Sequence, residues 1–374
     1  MFWFWFFAGP ALAFAAVALR GERKRARFVS ERLARNPNQI TPPATVITSL
    51  EGPGTGVREN LAMLAGQDYP NFELIIAVHS AADIPPRVLP HRVLVVMAGT
   101  EKDKFPSRVE NLLAGVQASR KQSEILAFAD AYGRVSPAWL RGLVAPLYEP
   151  NVAVSSGFFW FAPEPPDFWS LLRSVWSASA LSLLGPGDNP FAWAGSLAVQ
   201  KEIFFELRIP SAWRETSGES GAVTRAVHKA GLRIAFAPPS MAVYFDSTSM
   251  REFLSWARAH LLLVRDYLPR LWALALTAHF FYCAGMTAAI VASLRGSRGA
   301  EWVLVALLGL GMLKGVNRAI LARAELPAQD AWFKRHAWVH ALWLPLATWF
   351  WLGILLASAV SFRPAVKKTA SSSA

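Results

Sequence analysis

Residues 41–78 set the narrowest limit on what this chain can fold into. Pro42-Pro43 lead into the apolar run ATVITSL. A glycine- and proline-rich turn follows, then the helix-like VRENLAMLA, then Gln67-Asp68-Tyr69-Pro70 and a second apolar run, FELIIAV. Strand, helix and strand in so short a span predict the opening βαβ unit of a parallel sheet. Such sheets bind ligands at the carboxyl ends of their strands. His91–Ala98 and Glu124–Ala129 read as further strands. Ser136-Pro137 predicts a helix start, with an N-cap hydroxyl and a proline at the first helical position.

That sheet accounts for only part of the chain. Hydrophobic residues make up 53% of it and charged residues 17%, a balance that points to a membrane protein. The run Met1–Leu19 is apolar, and its basic cluster (Arg20, Arg23, Lys24, Arg25, Arg27) comes after it. A cleaved signal peptide would carry its charge first, so an uncleaved anchor is expected. Leu271–Leu294, Trp302–Leu321 and Ala337–Phe362 are the C-terminal candidates to cross a hydrocarbon core of about 30 Å. The middle one is interrupted by Lys314 and Arg318, and it spans only if these face protein or snorkel. Loop charge favours the crossing: with the domain after the anchor placed inside, Lys314, Arg318, Arg323, Lys334 and Arg335 fall inside too.

The expected organisation is an N-terminal transmembrane anchor (1–20), a basic neck (21–40), a cytoplasmic domain (41–250), an interfacial amphipathic helix (251–270), C-terminal transmembrane helices (271–362) and a disordered tail (363–374). Phe168–Leu184 is a Trp-rich amphipathic helix, lying in the membrane interface or packed on the sheet. The net charge of +12 follows from the loop bias and attraction to an anionic leaflet. The basic residues flank apolar spans and form no separate patch, so a nucleic-acid partner is not expected. A single cysteine, Cys283, excludes disulfides within the chain and cysteine-rich metal sites. His336 and His340 have helical spacing but no third ligand.

The segments QDYP, FADAYGRV and RAVHKAGLRIAFAP, in this order and spacing, resemble family 2 type glycosyltransferases, closest to the ceramide glucosyltransferase group. Hopanoid-associated glycosyltransferases are similar. The resemblance covers roughly residues 41–270 and implies an α/β fold: a GT-A-like, Rossmann-type nucleotide-sugar domain with one N-terminal and about three C-terminal transmembrane helices. It also implies site residues. Asp130, in FADAYGRVSP, takes the place of the central acid, which binds a divalent ion (Mg or Mn) bridging phosphates; a turn-capping Asp would look the same. Ser80 stands where the first acid is expected, and Asp83 three residues on binds the nucleotide or caps a turn.

At the general-base position the chain has Ser220, a hydroxyl that needs a base of its own. The neighbouring Glu219 can serve instead, or can be a first-turn acid favourable to its helix. The last motif reads Glu252-Phe253-Leu254-Ser255-Trp256, where the family has Gln or Arg, then Arg and Trp. Ser249-x-x-Glu252 is also a capping-box pattern. Ser49, Leu50 and Glu51 at the end of the first strand, Arg108 and Asn111 at a helix start near the diphosphate, and Gly195 and Ser196 in a small-residue strand beside the sugar complete the nucleotide-sugar site.

The expected function is an inverting transfer of sugar from a nucleotide sugar, a UDP-sugar, to a lipid hydroxyl at the cytoplasmic (inner) membrane, by a multi-pass protein whose catalytic domain is cytoplasmic. The rival expectation is a catalytically degenerate relative that binds lipid or nucleotide, or serves as a partner subunit. Serines at positions 80, 220 and 255 motivate it.

Overall fold

The computed structural model describes residues 2–35, 40–84, 89–90, 93–98, 108–215 and 218–360. The proposed tail at 363–374 lies outside them. The chain opens with α1 (Phe2–Ala34), one helix that carries both the apolar anchor and most of the basic neck.

The βαβ unit forms as the sequence predicts. β1 (Ala44–Leu50), buried at every position, leads through α2 (Val57–Ala65) to β2 (Phe72–Val78). β3 (Leu94–Met97) and α3 (Arg108–Ala118) precede β4 (Ile125–Asp130). The helix expected from Ser136-Pro137 starts later, as α4 (Trp139–Val144). The Ser136 hydroxyl turns instead to the Pro239 carbonyl at 3.4 Å, while Trp139 N–H closes a turn onto the Ser136 carbonyl.

β5 (Val152–Ser156) and β6 (Phe159–Phe161) come next, then α5 (Phe168–Leu181), whose N-cap Asp167 accepts the Ser170 N–H. β7 (Ser196–Gln200), α6 (Lys201–Glu206), α7 (Ile209–Arg214) and α8 (Glu219–Lys229) lead to β8 (Arg233–Phe236) and β9 (Ala242–Tyr244). The main sheet runs β3-β2-β1-β4-β7-β5-β8, with β6 and β9 paired separately. β3, β2, β1 and β4 are parallel; β7 is antiparallel to β4 and β5. The chain builds outward from β1 on one side and returns to β4 on the other. The switch point of the sheet therefore lies between β1 and β4, where such folds place ligands. There Ser49 pairs with Asp130.

Four long helices complete the chain: α9 (Met250–Tyr267), α10 (Pro269–Leu294), α11 (Arg298–Glu325) and α12 (Asp330–Val360). α1, α10, α11 and the helix ending at Val360 are long and apolar enough to cross a membrane. Of the two charges that interrupt α11, Lys314 is half-buried and Arg318 faces protein. Arg318 is 4% exposed and its Nε lies 2.8 Å from Glu22 of α1. Its Nη1 donates to Ser179 of α5, and the Ser182 hydroxyl also bonds Glu22. One turn along α1, Arg25 pairs with Glu325 at 2.6 Å, both buried. The basic neck is thus partly internal: a sequence read one residue at a time cannot show that two of its charged residues, Glu22 and Arg25, have partners of opposite charge about 300 residues away.

α5 takes the packed reading of the two that its pattern left open. Leu171, Leu172, Val175, Ala178 and Leu181 are buried, and the helix contacts β6, α9 and α12. Ser170, Ser174 and Ser177 are buried as well: Ser174 Oγ donates to the Phe161 carbonyl at 2.6 Å, and Arg173 reaches Asp246 at 2.7 Å. α9 buries Phe253, Ala257 and Leu261, one side chain per helical turn, against the same aromatic core.

Candidate active site

The carboxyl ends of β1 and β4 bring the first group of polar side chains together. Asn111, 1% exposed on α3, donates through Nδ2 to Ser49 Oγ at 3.0 Å. Ser49 donates to Glu51 at 3.1 Å. The Leu50 side chain points into the core and is fully buried. Asp130 closes β4; its Oδ1 accepts the Tyr132 N–H at 3.0 Å, and its own N–H bonds the Gly195 carbonyl at 3.0 Å.

Tyr132, which sequence reasoning passed over, ties the glycine-rich turn after β1 to this acid. Its phenol oxygen accepts the Glu51 N–H at 3.1 Å and donates to the Gly52 carbonyl at 3.2 Å. Its ring lies over Gly54 so closely that a Cβ there would come within 2.3 Å of it. Tyr244, at the end of β9, is the second residue missed: its half-buried phenol faces Asp130. Burial, then the charge of Asp130, pushes that phenol well above its ordinary pKa, so it stays protonated. Nothing local in AVYFD signals this role, because the partner is more than 100 residues away.

Glu219 stands in the first turn of α8. Between it and Asp130 lies Arg108, whose Nε is 2.9 Å from Glu219 and whose Nη2 is 3.8 Å from Asp130. All three side chains keep about a fifth of their surface exposed, so the group is open to a ligand. Burial alone would lower the Arg108 pKa, but Asp130 and then Glu219 outweigh it and raise the pKa further. Glu51 adds to that effect. Two carboxylates therefore flank one guanidinium.

Ser220 does not face this group as a base. Its Oγ accepts the Ala194 N–H at 2.9 Å, and its carbonyl accepts from Thr224 Oγ1 at 2.7 Å. Ser220 thus anchors the strand segment that precedes β7. Ser196 is fully buried, taking the Trp139 indole N–H at 2.7 Å and donating to the Ser240 carbonyl at 2.8 Å. The neighbouring Gly195 lies under the Trp193 ring.

The remaining candidates stand apart. Asp83 accepts the Ser80 N–H at 2.8 Å and caps its own turn. Glu252 accepts the Ser249 N–H at 2.8 Å in the capping box that starts α9. Ser255 is exposed on the same helix. Trp256 packs edge-on against Phe161 with centroids 5.6 Å apart, and Phe161 packs on Tyr244 at 5.5 Å. Trp256 therefore reaches Asp130 only through two aromatic rings.

α8 is held against α9. The Tyr267 ring covers Gly221 so that a Cβ there would lie 2.6 Å from it, and Arg225 sits over the same ring at 4.7 Å.

Among the described residues, no three His, Cys, Asp or Glu side chains stand close enough to hold a metal ion by themselves. Asp130 alone fits a hard divalent ion that takes its other ligands from phosphate oxygens and water.

Residues 3–179 match the family model described as Glycosyl transferase family 21, just under half of the chain. The enzyme class is glycosyltransferase. No curated protein matches the chain significantly. Among solved structures, the mannosyltransferase PcManGT from Pyrobaculum calidifontis, in complex with GDP-Man and Mn2+, is 17% identical with a TM-score of 0.47, over 95% of this chain and 98% of that one. Glucosyl-3-phosphoglycerate synthase from Mycobacterium tuberculosis, in complex with Mn2+, UDP-Glc and phosphoglyceric acid, is 15% identical with a TM-score of 0.41, over 63% and 86%. Likenesses this distant carry no functional argument.

Proposed function

We propose that this protein is a membrane-bound inverting glycosyltransferase that moves a sugar from a nucleotide sugar, a UDP-sugar, to the hydroxyl of a ceramide-like or other lipid. The observation that carries the reading is the grouping of Asp130, Arg108 and Glu219 at the switch point of a domain joined to four long apolar helices. The domain faces the cytoplasm, as the basic residues following the first span favour.

The acceptor oxygen attacks the anomeric carbon, the bond from that carbon to the diphosphate oxygen breaks, and the hydroxyl proton passes to Glu219. One displacement inverts the anomeric configuration. The Arg108 fork offsets charge on the departing diphosphate. Asp130 would hold a divalent ion, Mg2+ or Mn2+, which supplies further charge neutralisation on the phosphates. Tyr132 and Tyr244 orient Asp130, and Ser49, Asn111 and Glu51 line the nucleotide side.

The rival reading, a degenerate relative that binds nucleotide or lipid, draws on Ser220, whose hydroxyl is committed to Ala194. Full-length protein in lipid nanodiscs, given a panel of labelled nucleotide sugars with Mg2+ or Mn2+, separates the two. Formation of labelled glycolipid, lost in Asp130→Asn, supports the enzyme. Nucleotide binding with neither transfer nor donor hydrolysis overturns it in favour of the degenerate relative.

A further inference from the structure

We propose that Arg108 is a gate on Asp130: without nucleotide its guanidinium occupies the cation position, so a divalent ion enters only together with a nucleoside diphosphate. The inference rests on the nucleotide-sugar reading of the site. Its structural basis is the single guanidinium that contacts carboxylates from two different elements, Glu219 of α8 at 2.9 Å and Asp130 of β4 at 3.8 Å.

Charge explains the order of events. With no ligand present, Arg108 partly offsets Asp130, Glu219 and Glu51. A divalent ion placed on Asp130 would stand against a fixed positive charge that is already close by. It would also find no second and third protein ligand, because no such cluster forms among the described residues. Lone ion binding is therefore weak on both counts.

A diphosphate changes the balance. Its oxygens present the planar, bidentate target that a guanidinium fork matches best, so they draw Arg108 away from the carboxylates. They also add negative charge to a site that already has more acids than bases, which creates the need for another cation. The same oxygens supply the ligands that Asp130 alone lacks. Release of Arg108 from Glu219 leaves that carboxylate free to take a proton. The gate thus keeps the base paired until the donor is in place.

Mn2+ binding to the full-length protein, followed by the spin-resonance signal of free Mn2+ and by calorimetry, tests the gate without turnover. Wild type without nucleotide is expected to bind Mn2+ at least tenfold more weakly than Arg108→Gln, and to bind it well once UDP is added. Arg108→Lys, which keeps the charge, is expected to exclude lone Mn2+ as wild type does. Equal Mn2+ affinity of nucleotide-free wild type and Arg108→Gln overturns the gate, as does free entry of Mn2+ into Arg108→Lys. If wild type binds no nucleoside diphosphate with or without Mn2+, the nucleotide-sugar reading and the diphosphate-driven opening fail together. The Mn2+ comparison between wild type and Arg108→Gln still reports whether Arg108 guards Asp130.

Discussion

The Ser220 hydroxyl accepts the Ala194 N–H at 2.9 Å, so the residue standing at the expected base position is a backbone anchor. Loss of this bond in Ser220→Ala leaves the Ala194 amide without its acceptor. The expected cost is about 1 kcal/mol, within the usual range for one hydrogen bond, read as a lowered unfolding midpoint of the full chain in detergent. Ser220→Asp keeps an acceptor there and is expected to retain stability and to match or exceed wild-type turnover.

Glu219 is the remaining group with the chemistry of a base. Glu219→Gln is expected to lower transfer by about 10²–10⁴, the usual worth of general base catalysis, while leaving UDP affinity nearly unchanged. Single-turnover rates and equilibrium binding on the same preparation check both halves. Full activity in the variant would remove Glu219 from the base role.

Much of this site is legible in the chain, and the illegible parts share a cause. Asp130 and Glu219 sit at the ends of a strand and a helix that hydrophobic pattern and helix matching predict, and β1 and β2 form where the βαβ reading puts them. The capping box at Ser249 is likewise visible as spacing alone. Tyr132 and Tyr244 were missed because their significance lies in contacts across strands. The same holds for Arg25 and Arg318, which read as surface or snorkelling charges until Glu325 and Glu22 are placed beside them. Periodicity reports which face is apolar, but it carries no information about which distant acid meets a given base.

Those two pairs lock α1 to α11. Removing one partner strands a buried charge, so Glu325→Ala is expected to destabilise the protein by about 3–5 kcal/mol. The double variant Arg25→Met, Glu325→Leu removes both charges and is expected to recover most of that loss. Thermal unfolding in detergent, followed by tryptophan fluorescence, distinguishes a charge effect from lost packing.

The start of α9 should respond to acid. Hydrogen bonds from the Ser249 backbone and then its hydroxyl hold the Glu252 carboxyl below its ordinary pKa. A depressed folded pKa gives stability that is present above the ordinary carboxylate value, about 4.3, and is lost as pH falls through the folded one. The protection of amides in the first turn of α9, measured against the intrinsic exchange rate at each pH, is therefore expected to fall as pH drops below about 4. Glu252→Gln should show little of that dependence, since it cannot ionise.

The Tyr267 ring lying on Gly221 packs α8 closely against α9, and α9 meets α10 at a break, where Leu268 leaves the helical conformation ahead of Pro269. Helices that cross a bilayer tilt to match its thickness. A tilt of α10 would reach the first turn of α8, where Glu219 sits, along the chain only through that break and the Tyr267 contact. The Leu268 junction is therefore where the acid's helix and a helix long and apolar enough to cross a membrane are mechanically joined, and a stiffer or looser residue there would change how much of one reaches the other.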